Sequence, residues 1–214
     1  MITILIVDDH GLVREGIAKL LGDVSGLKII GQAENGEDAV EIAKKQKPQV
    51  VLMDVKMPGI GGLEATKKMV RHNKEIKVII LTVCDDEPFP SKLLQAGASG
   101  YITKNSDIAE IITAIRTVAS GTRYIGPQIA QRMALGSVSG EENKIDSLSD
   151  RELQVMLMII AGQKVQDISD KLCLSPKTVN SYRYRLFDKL AVESDVELTL
   201  LAMRHGMLEG VAQT

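Results

Sequence analysis

Val50-Val51-Leu52-Met53-Asp54-Val55-Lys56-Met57-Pro58-Gly59 is the stretch on which the fold turns. Four apolar residues run straight into one carboxylate, and Met57-Pro58-Gly59 then reads as a turn. An apolar run without polar alternation marks a parallel strand covered on both faces, so a side chain reaches solvent only at its end. In open α/β sheets that carboxyl edge is where ligands bind. Asp54 therefore stands where chemistry is expected.

Similar strand-like runs occur at Ile2–Val7, Leu27–Gly31, Val78–Thr82 and Gly100–Thr103, with helical spacing between them. Val13, Ile17, Leu20 and Leu21 mark one helical face, and Ala39, Val40 and Ile42–Ala43 a second that stops at Lys47-Pro48. Leu63, Thr66 and Val70 mark a third, Leu93-Leu94 a short fourth, and Ile108, Ile111, Ile112, Ile115 and Val118 a fifth closed by Gly121. This alternation predicts a doubly wound α/β domain with a five-stranded parallel sheet. Right-handed crossovers place all the strand C-termini on one edge. Pro88 and Pro90 stand where the fourth helix should begin, so that helix is expected to start late and be short.

The pattern breaks after residue 121. A short helix over Gln128–Leu135 is followed by the Gly/Ser/charged run Gly136–Asp146, which lacks periodicity and reads as a linker. From Ser147 onward the spacing is purely helical. The expected organisation is an α/β domain over 1–121, a connector over 122–146, and a small all-α domain over 147–214.

With 44% hydrophobic residues in 214, the chain has ample material for two cores. A formal charge of −2 excludes a global attraction to nucleic acid or membrane, so any such surface must be a local patch. Cys84 and Cys173, the two cysteines, have no CxxC spacing and read as free thiols in a reducing compartment. The N-terminus reads as a strand, not as a signal peptide, and no apolar run is long enough to span a bilayer. A soluble, cytoplasmic protein is expected.

Asp8-Asp9, Asp54, Thr82 and Lys104 all fall at or just after strand ends on the predicted edge. Three converging carboxylates raise one another's pKa unless a cation neutralises them, and a small hard ion such as Mg²⁺ suits such oxygen ligands. A hydroxyl and an ammonium beside them would let Asp54 act as a nucleophile toward phosphorus. Taken singly, Asp8 or Asp9 could cap the following helix, and Lys104 could be a solvated lysine. A phosphate-ester hydrolase is the rival chemistry. It needs a second Asp two residues after the nucleophile, and that position is Lys56.

Asp8-Asp9, Asp54 with Met57-Pro58-Gly59, Thr82, and Gly100-Tyr-Ile-Thr-Lys104 together resemble the receiver domain of two-component response regulators. The resemblance covers roughly the first 120 residues. It implies that Asp9, Asp54 and the backbone carbonyl of Lys56 hold Mg²⁺, with Asp8 assisting through water. It further implies that Asp54 accepts a phosphoryl group from a sensor histidine kinase and Lys104 contacts it. Thr82 and Tyr101 match the family's switch pair.

In the tail, Ile168–Leu172 and Pro176–Leu190 are joined by the short turn Cys173-Leu174-Ser175, with Ser175 a good N-cap and Pro176 a good first helical residue. That is a helix-turn-helix. Val179, Tyr182, Leu186 and Leu190 make the expected buried stripe. Between Lys177 and Lys189 four cations face one anion, an electrostatic footprint for a nucleic-acid groove. Asn180, Ser181 and Tyr184 are placed to read base edges, and Lys177, Thr178, Arg185 and Lys189 to meet phosphates. The bland alternative is a solvated amphipathic helix.

Leu148-Ser-Asp-Arg-Glu152, Gly162, Ile168-Ser169 and Ser175-Pro-Lys-Thr-Val179 resemble the LuxR/NarL-type DNA-binding domain, although Tyr182 stands where a histidine is common. Pro88-Phe-Pro90, Arg123-Tyr-Ile125, Pro127–Ala130 and Thr178–Arg185 look closer still to the GacA/UvrY/LetA group. The resemblance implies a transcription regulator, not an enzyme, that activates genes for small regulatory RNAs. One recognition helix gives a small interface, so the phosphorylated protein is expected to bind inverted-repeat promoter DNA as a homodimer. Ser194–Ala202 in the last helix, with Leu198, Leu200 and Leu201, is the candidate pairing surface; the alternative is that these leucines are only core. Two other classes stay open: a DNA-binding dimer indifferent to phosphorylation, and a phosphotransfer protein whose tail binds protein.

Overall fold

Val50–Asp54 forms β3, the middle of a parallel sheet, and every residue of it is buried. The computed structural model containing it describes residues 1–82, 90–139 and 144–204. These residues belong to two units, the first within Met1–Asp85 and Leu93–Val138, the second chiefly within Ser139–Thr214. Cys84, Pro88 and Phe89 lie outside the described residues.

In the first unit β1 (Ile2–Val7) and β4 (Lys77–Thr82) flank β3, with β2 (Leu27–Ala33) and β5 (Gly100–Thr103) beyond them. The sheet order is β2-β1-β3-β4-β5-β6, with β6 at Tyr124–Ile125, and all pairings are parallel. Register places Val7 opposite Met53, Asp54 opposite Leu81, and Thr82 opposite Thr103. The strand ends therefore line up on one edge, as the alternating pattern requires.

The crossover helices are α1 (Gly11–Gly22), α2 (Gly36–Gln46), α3 (Gly61–His72), α4 (Pro90–Gln95) and α5 (Ile108–Ala119). Two of them start on a side-chain cap. Asn35 caps α2 by accepting from the Asp38 N–H at 2.8 Å, and Asp107 caps α5 through the Glu110 N–H at 2.7 Å. The described part of α4 begins on Pro90 and is six residues long, in line with the proline reading.

Three features depart from expectation. A sixth strand, β6 (Tyr124–Ile125), pairs with β5 inside the stretch read as connector. The Tyr124 and Gly126 N–H groups donate to the Ser99 and Tyr101 carbonyls at 3.0 and 2.8 Å. A helix, α6, follows over Pro127–Ser139, longer than the segment expected. Leu20, assigned to the buried face of α1, is 56% exposed while Leu21 is fully buried. Adjacent helical residues are about 100° apart, so only one of the pair can face the sheet.

The second unit holds α7 (Asp150–Ile160), α8 (Val165–Leu172), α9 (Pro176–Leu190) and α10 (Asp195–Arg204). A reciprocal capping box between Ser149 and Glu152 starts α7. Cys173, in the left-handed region at φ 52°, ends α8, and Ser175 starts α9 two residues later. Val179, Leu186 and Leu190 are buried as predicted, but Tyr182 is only half-buried. In α10, Leu198 is core, while Val196 and Leu200 are 69% and 49% exposed.

Gly62, at the second position of α3, sits against the end of β3. A Cβ there would lie 2.0 Å from the Asp54 carbonyl oxygen. Helix propensity alone would make Gly62→Ala stabilising by about 1 kcal/mol. The contact with rigid backbone reverses the sign, and urea unfolding is expected to show a loss of about 1–3 kcal/mol.

Candidate functional site

The edge formed by the strand ends collects Asp8, Asp9, Asp54, Thr82 and Lys104. Lys104 Nζ lies 2.8 Å from Asp54 Oδ2 and 2.8 Å from Asp8 Oδ2. It is held there by its own backbone, whose N–H donates to the Thr82 carbonyl at 2.5 Å. Asp54 Oδ1 accepts from the Lys56 N–H at 3.3 Å, which folds the loop back over the carboxylate. Asp8 is fully buried and Asp54 nearly so, whereas the Asp9 side chain is 30% exposed. Thr82 and Tyr101 are both buried, at 0% and 1%.

The capping alternative for the Asp pair does not hold. His10 occupies the N-cap of α1 and makes no side-chain cap bond. Its N–H donates to Asp8 Oδ1 at 2.9 Å, and its Nδ1 lies 3.0 Å from Asp9 Oδ1.

Burial pushes the Asp54 carboxyl up from 3.8 to about 6, against the opposing pull of the Lys104 charge and hydrogen bond; the Asp8 charge adds a smaller upward push. The dominant cause is therefore burial, where sequence reasoning put carboxylate repulsion first. For Lys104 burial acts downward, but the charge and hydrogen bond of Asp54, with the charge of Asp8, outweigh it, and its pKa is raised.

The donor set fits a hard divalent cation. Asp8, Asp9, His10 and Asp54 each offer a ligand atom, all within 4.8 Å of one another. The buried Asp8 Oδ2 touches the Lys104 ammonium but carries no well-directed hydrogen bond, so an acceptor is left to spend on a ligand. Sequence reasoning missed His10, and it missed Arg14, whose Nη1 donates to the Asp8 carbonyl at 2.6 Å. The signal for Arg14 was present: it falls on the same helical stripe as Ile17 and Leu21.

In the second unit α9 presents Lys177, Ser181, Tyr184 and Arg185 to solvent, with Thr178 and Asn180 half-buried. Tyr184 is 64% exposed, the Arg185 guanidinium lies 5.9 Å from the Tyr182 ring centroid, and the Ser181 hydroxyl donates to the Lys177 carbonyl at 3.0 Å. Thr178 Oγ1 is 2.8 Å from the Ser175 hydroxyl. Lys189 differs from the rest: its ammonium is 2.6 Å from Glu152 Oε2, a carboxylate 4% exposed at the start of α7. Arg183 forms a two-point ion pair with Asp195 at 2.6 and 2.5 Å and lies over the Phe187 ring.

Residues 4–116 match the model of the response regulator receiver domain, and residues 146–202 that of the luxR family of bacterial regulatory proteins. The chain is a response regulator of the LuxR family. It is 60% identical to response regulator GacA of Pseudomonas syringae pv. syringae (strain B728a), covering 99% of this chain and all of the relative. It is 56% identical to response regulator UvrY of Escherichia coli (strain K12), covering 97% and 96%. A solved structure of the RcsB response regulator of Salmonella typhimurium, concerned with conformational dynamism for DNA interaction, matches at TM-score 0.77 and 25% identity, covering 95% and 98%. The regulator thus joins a receiver domain to a helix-turn-helix DNA-binding domain, and it is not an enzyme.

The charge state of Asp54 has a measurable consequence for the regulator. A carboxyl whose folded pKa is about 6 and whose unfolded value is 3.8 costs nothing below pH 4; the penalty grows between pH 4 and 6 and is complete above. In EDTA, Asp54→Asn is expected to raise the unfolding free energy at pH 7.5 by up to about 3 kcal/mol, with the gain vanishing at pH 4. Denaturant titrations at the two pH values check this.

Lys189 and Lys177 should also separate. Lys189→Ala leaves the buried Glu152 carboxylate without its cation and is expected to destabilise the second unit by about 1–3 kcal/mol. Because the Lys189 hydrogen bond helps hold the Glu152 pKa down despite burial, that stabilisation is present above about pH 4.5 and is lost as pH falls further. Lys177→Ala should leave unfolding unchanged and weaken binding to all DNA sequences, reducing the salt slope by about 1 per protomer.

Proposed function

We propose that a sensor histidine kinase phosphorylates this regulator on Asp54, and that the phosphorylated form dimerises and binds inverted-repeat promoter DNA. The observation that carries this reading is Lys104 placed 2.8 Å from the carboxylates of both Asp54 and Asp8, on an edge where Asp9 and Thr82 also end. Asp54 is ionised at neutral pH, as a nucleophile must be. One Asp54 oxygen bonds to phosphorus while the bond from phosphorus to the donor histidine nitrogen breaks, its electron pair returning to the ring. Lys104 exchanges its contact with the free carboxylate for one with a phosphoryl oxygen.

Asp8, Asp9, Asp54 and the backbone carbonyl of Lys56 would hold Mg²⁺. When bound, that ion offsets the negative charge of the phosphoryl oxygens. Thr82 and Tyr101 form the switch. They lie on adjacent paired strands, so a shift of the Thr82 hydroxyl toward the phosphoryl group is felt one strand away.

For the output, Asn180, Ser181 and Tyr184 read base edges, while Lys177, Thr178 and Arg185 meet phosphates. Lys189, the remaining phosphate candidate, has its first claim on Glu152. Two copies pair through α10, where Val196 and Leu200 are exposed. The proposed domain limits are 1–121 and 147–214, with 122–146 connecting them and β6, within that connector, paired to the sheet of the first domain. Similarity to GacA and UvrY supports promoters of small regulatory RNAs as targets. No helix among the described residues is long and apolar enough to cross a membrane, and we place the protein in the cytoplasm.

Acetyl phosphate and Mg²⁺ added to wild type should raise promoter affinity and shift the protein to a dimer in sedimentation. Asp54→Ala should show neither change. Promoter binding by Asp54→Ala as tight as that of treated wild type would sink the switch. Absence of DNA binding by treated wild type would sink the regulator reading itself.

A further inference from the structure

The two loops that carry the acidic cluster are both pinned to a third loop that contributes no ligand to it, the turn between β2 and α2. Arg14 makes the first link. Its guanidinium is almost wholly buried, with Nη1 donating to the Asp8 carbonyl at 2.6 Å and Nη2 to Glu34 Oε1 at 2.7 Å. The Asp8 N–H donates to the Ala33 carbonyl at 3.1 Å, so the main chain of Asp8 is tied on both sides to the end of β2. Glu37 makes the second link: its Oε1 accepts from the Ile60 N–H at 3.1 Å, in the loop that follows Asp54 and Lys56. That loop passes so close that a Cβ on Gly59, itself at φ +83°, would lie 2.3 Å from Glu37 Oε2. Between Glu34 and Glu37 stands Asn35, whose side chain both accepts from the Asp38 N–H and donates to the Asp38 carboxylate, each at 2.8 Å.

Both acidic residues thus issue from one capped helix start. One reaches toward the loop of Asp8 and Asp9, the other toward the loop of Asp54 and Lys56. We propose that the Glu34–Glu37 turn is a brace, and that Arg14, Glu34 and Glu37 are positioning residues that set the spacing of these two loops for a divalent cation. The inference rests on the reading that the acidic cluster binds such a cation. Carboxylates left to themselves repel one another apart, and a cation must then draw them together at the cost of ordering two loops. A brace meets that cost during folding, as partners behind metal ligands do elsewhere.

Charge alone predicts the opposite sign for Arg14. Removing a cation from beside an acidic cluster should tighten Mg²⁺ binding, and Arg14→Lys, which keeps the charge, should leave it unchanged. The brace predicts weaker binding in both Arg14→Met and Arg14→Lys, because neither side chain spans the Asp8 carbonyl and the Glu34 carboxylate together. At the other link, Glu37→Ala should weaken binding and Glu37→Gln should restore it, since an amide oxygen accepts the same N–H. Glu37 is exposed, so both of its variants keep the core intact.

The experiment is calorimetric titration of the full chain with MgCl₂ in phosphate-free buffer, alongside thermal melts in EDTA. Wild type should bind, and Arg14→Lys, Arg14→Met and Glu37→Ala should bind about tenfold more weakly, with Glu37→Gln within twofold of wild type. Lower melting temperatures with unchanged Mg²⁺ affinity would mean a purely structural role and would overturn the brace. Tighter binding in Arg14→Met would overturn it in favour of charge. If the Arg14 variants do not fold, the Glu37 pair decides alone. Failure of wild type to bind Mg²⁺ would instead remove the cation reading on which the brace stands.

Discussion

The Lys104 ammonium, shared between Asp54 and Asp8, is the contact on which the site depends. It ties the residue after β5 to the ends of β3 and β1 across a sheet whose strands were brought together for other reasons. Three carboxylates stand against this one ammonium, which leaves a surplus of two negative charges when all are ionised. In a partly buried place such a surplus is costly, and burial, with a smaller push from the Asp8 charge, already holds the Asp54 pKa up at about 6. A divalent cation held there, as we propose, would cancel the surplus that folding has brought together.

Much of this was legible because parallel sheets leave little freedom. Once Val50–Asp54 is read as a central strand, βαβ handedness and side-chain alternation put Asp8, Asp54, Thr82 and Lys104 on one edge. What was not legible depends on partners distant in sequence with no periodic signal. Lys189 looked like a phosphate contact because only its own helix was in view; its partner Glu152 lies 37 residues away. Leu20 and Leu21 fit the helical stripe equally well on paper, and only packing chose between them. The two-residue strand Tyr124–Ile125 is too short to carry a pattern, yet it covers the edge of β5 at the backbone of Tyr101.

That covering bears on Tyr101. At the outer edge of a five-stranded sheet its ring would have been an ordinary half-buried aromatic. With β6 hydrogen-bonded alongside, it is 1% exposed and its carbonyl is engaged by the Gly126 N–H. Any change in the Tyr101 backbone must then move β6, and α6 starts one residue after the Gly126 bond. The connector is therefore coupled to the sheet through backbone hydrogen bonds, which sequence composition cannot reveal.

The cationic stripe on α9 needs a similar revision. Of its four cations, Arg183 is committed to Asp195 and Lys189 to Glu152, so Lys177 and Arg185 carry most of the charge that faces outward. Two phosphate contacts per copy give a salt slope of only about −2, too shallow for tight binding by one domain alone. Doubling the footprint on a two-fold site is the cheapest remedy, because the second copy adds its contacts without new chemistry. The internal ion pairs serve the same end from the other side. Arg183 locks the recognition helix to the first residue of α10, the helix whose exposed Val196 and Leu200 we assign to pairing. Pairing at α10, as proposed, would therefore fix the angle at which α9 is presented, and weak individual contacts would gain from being held in register.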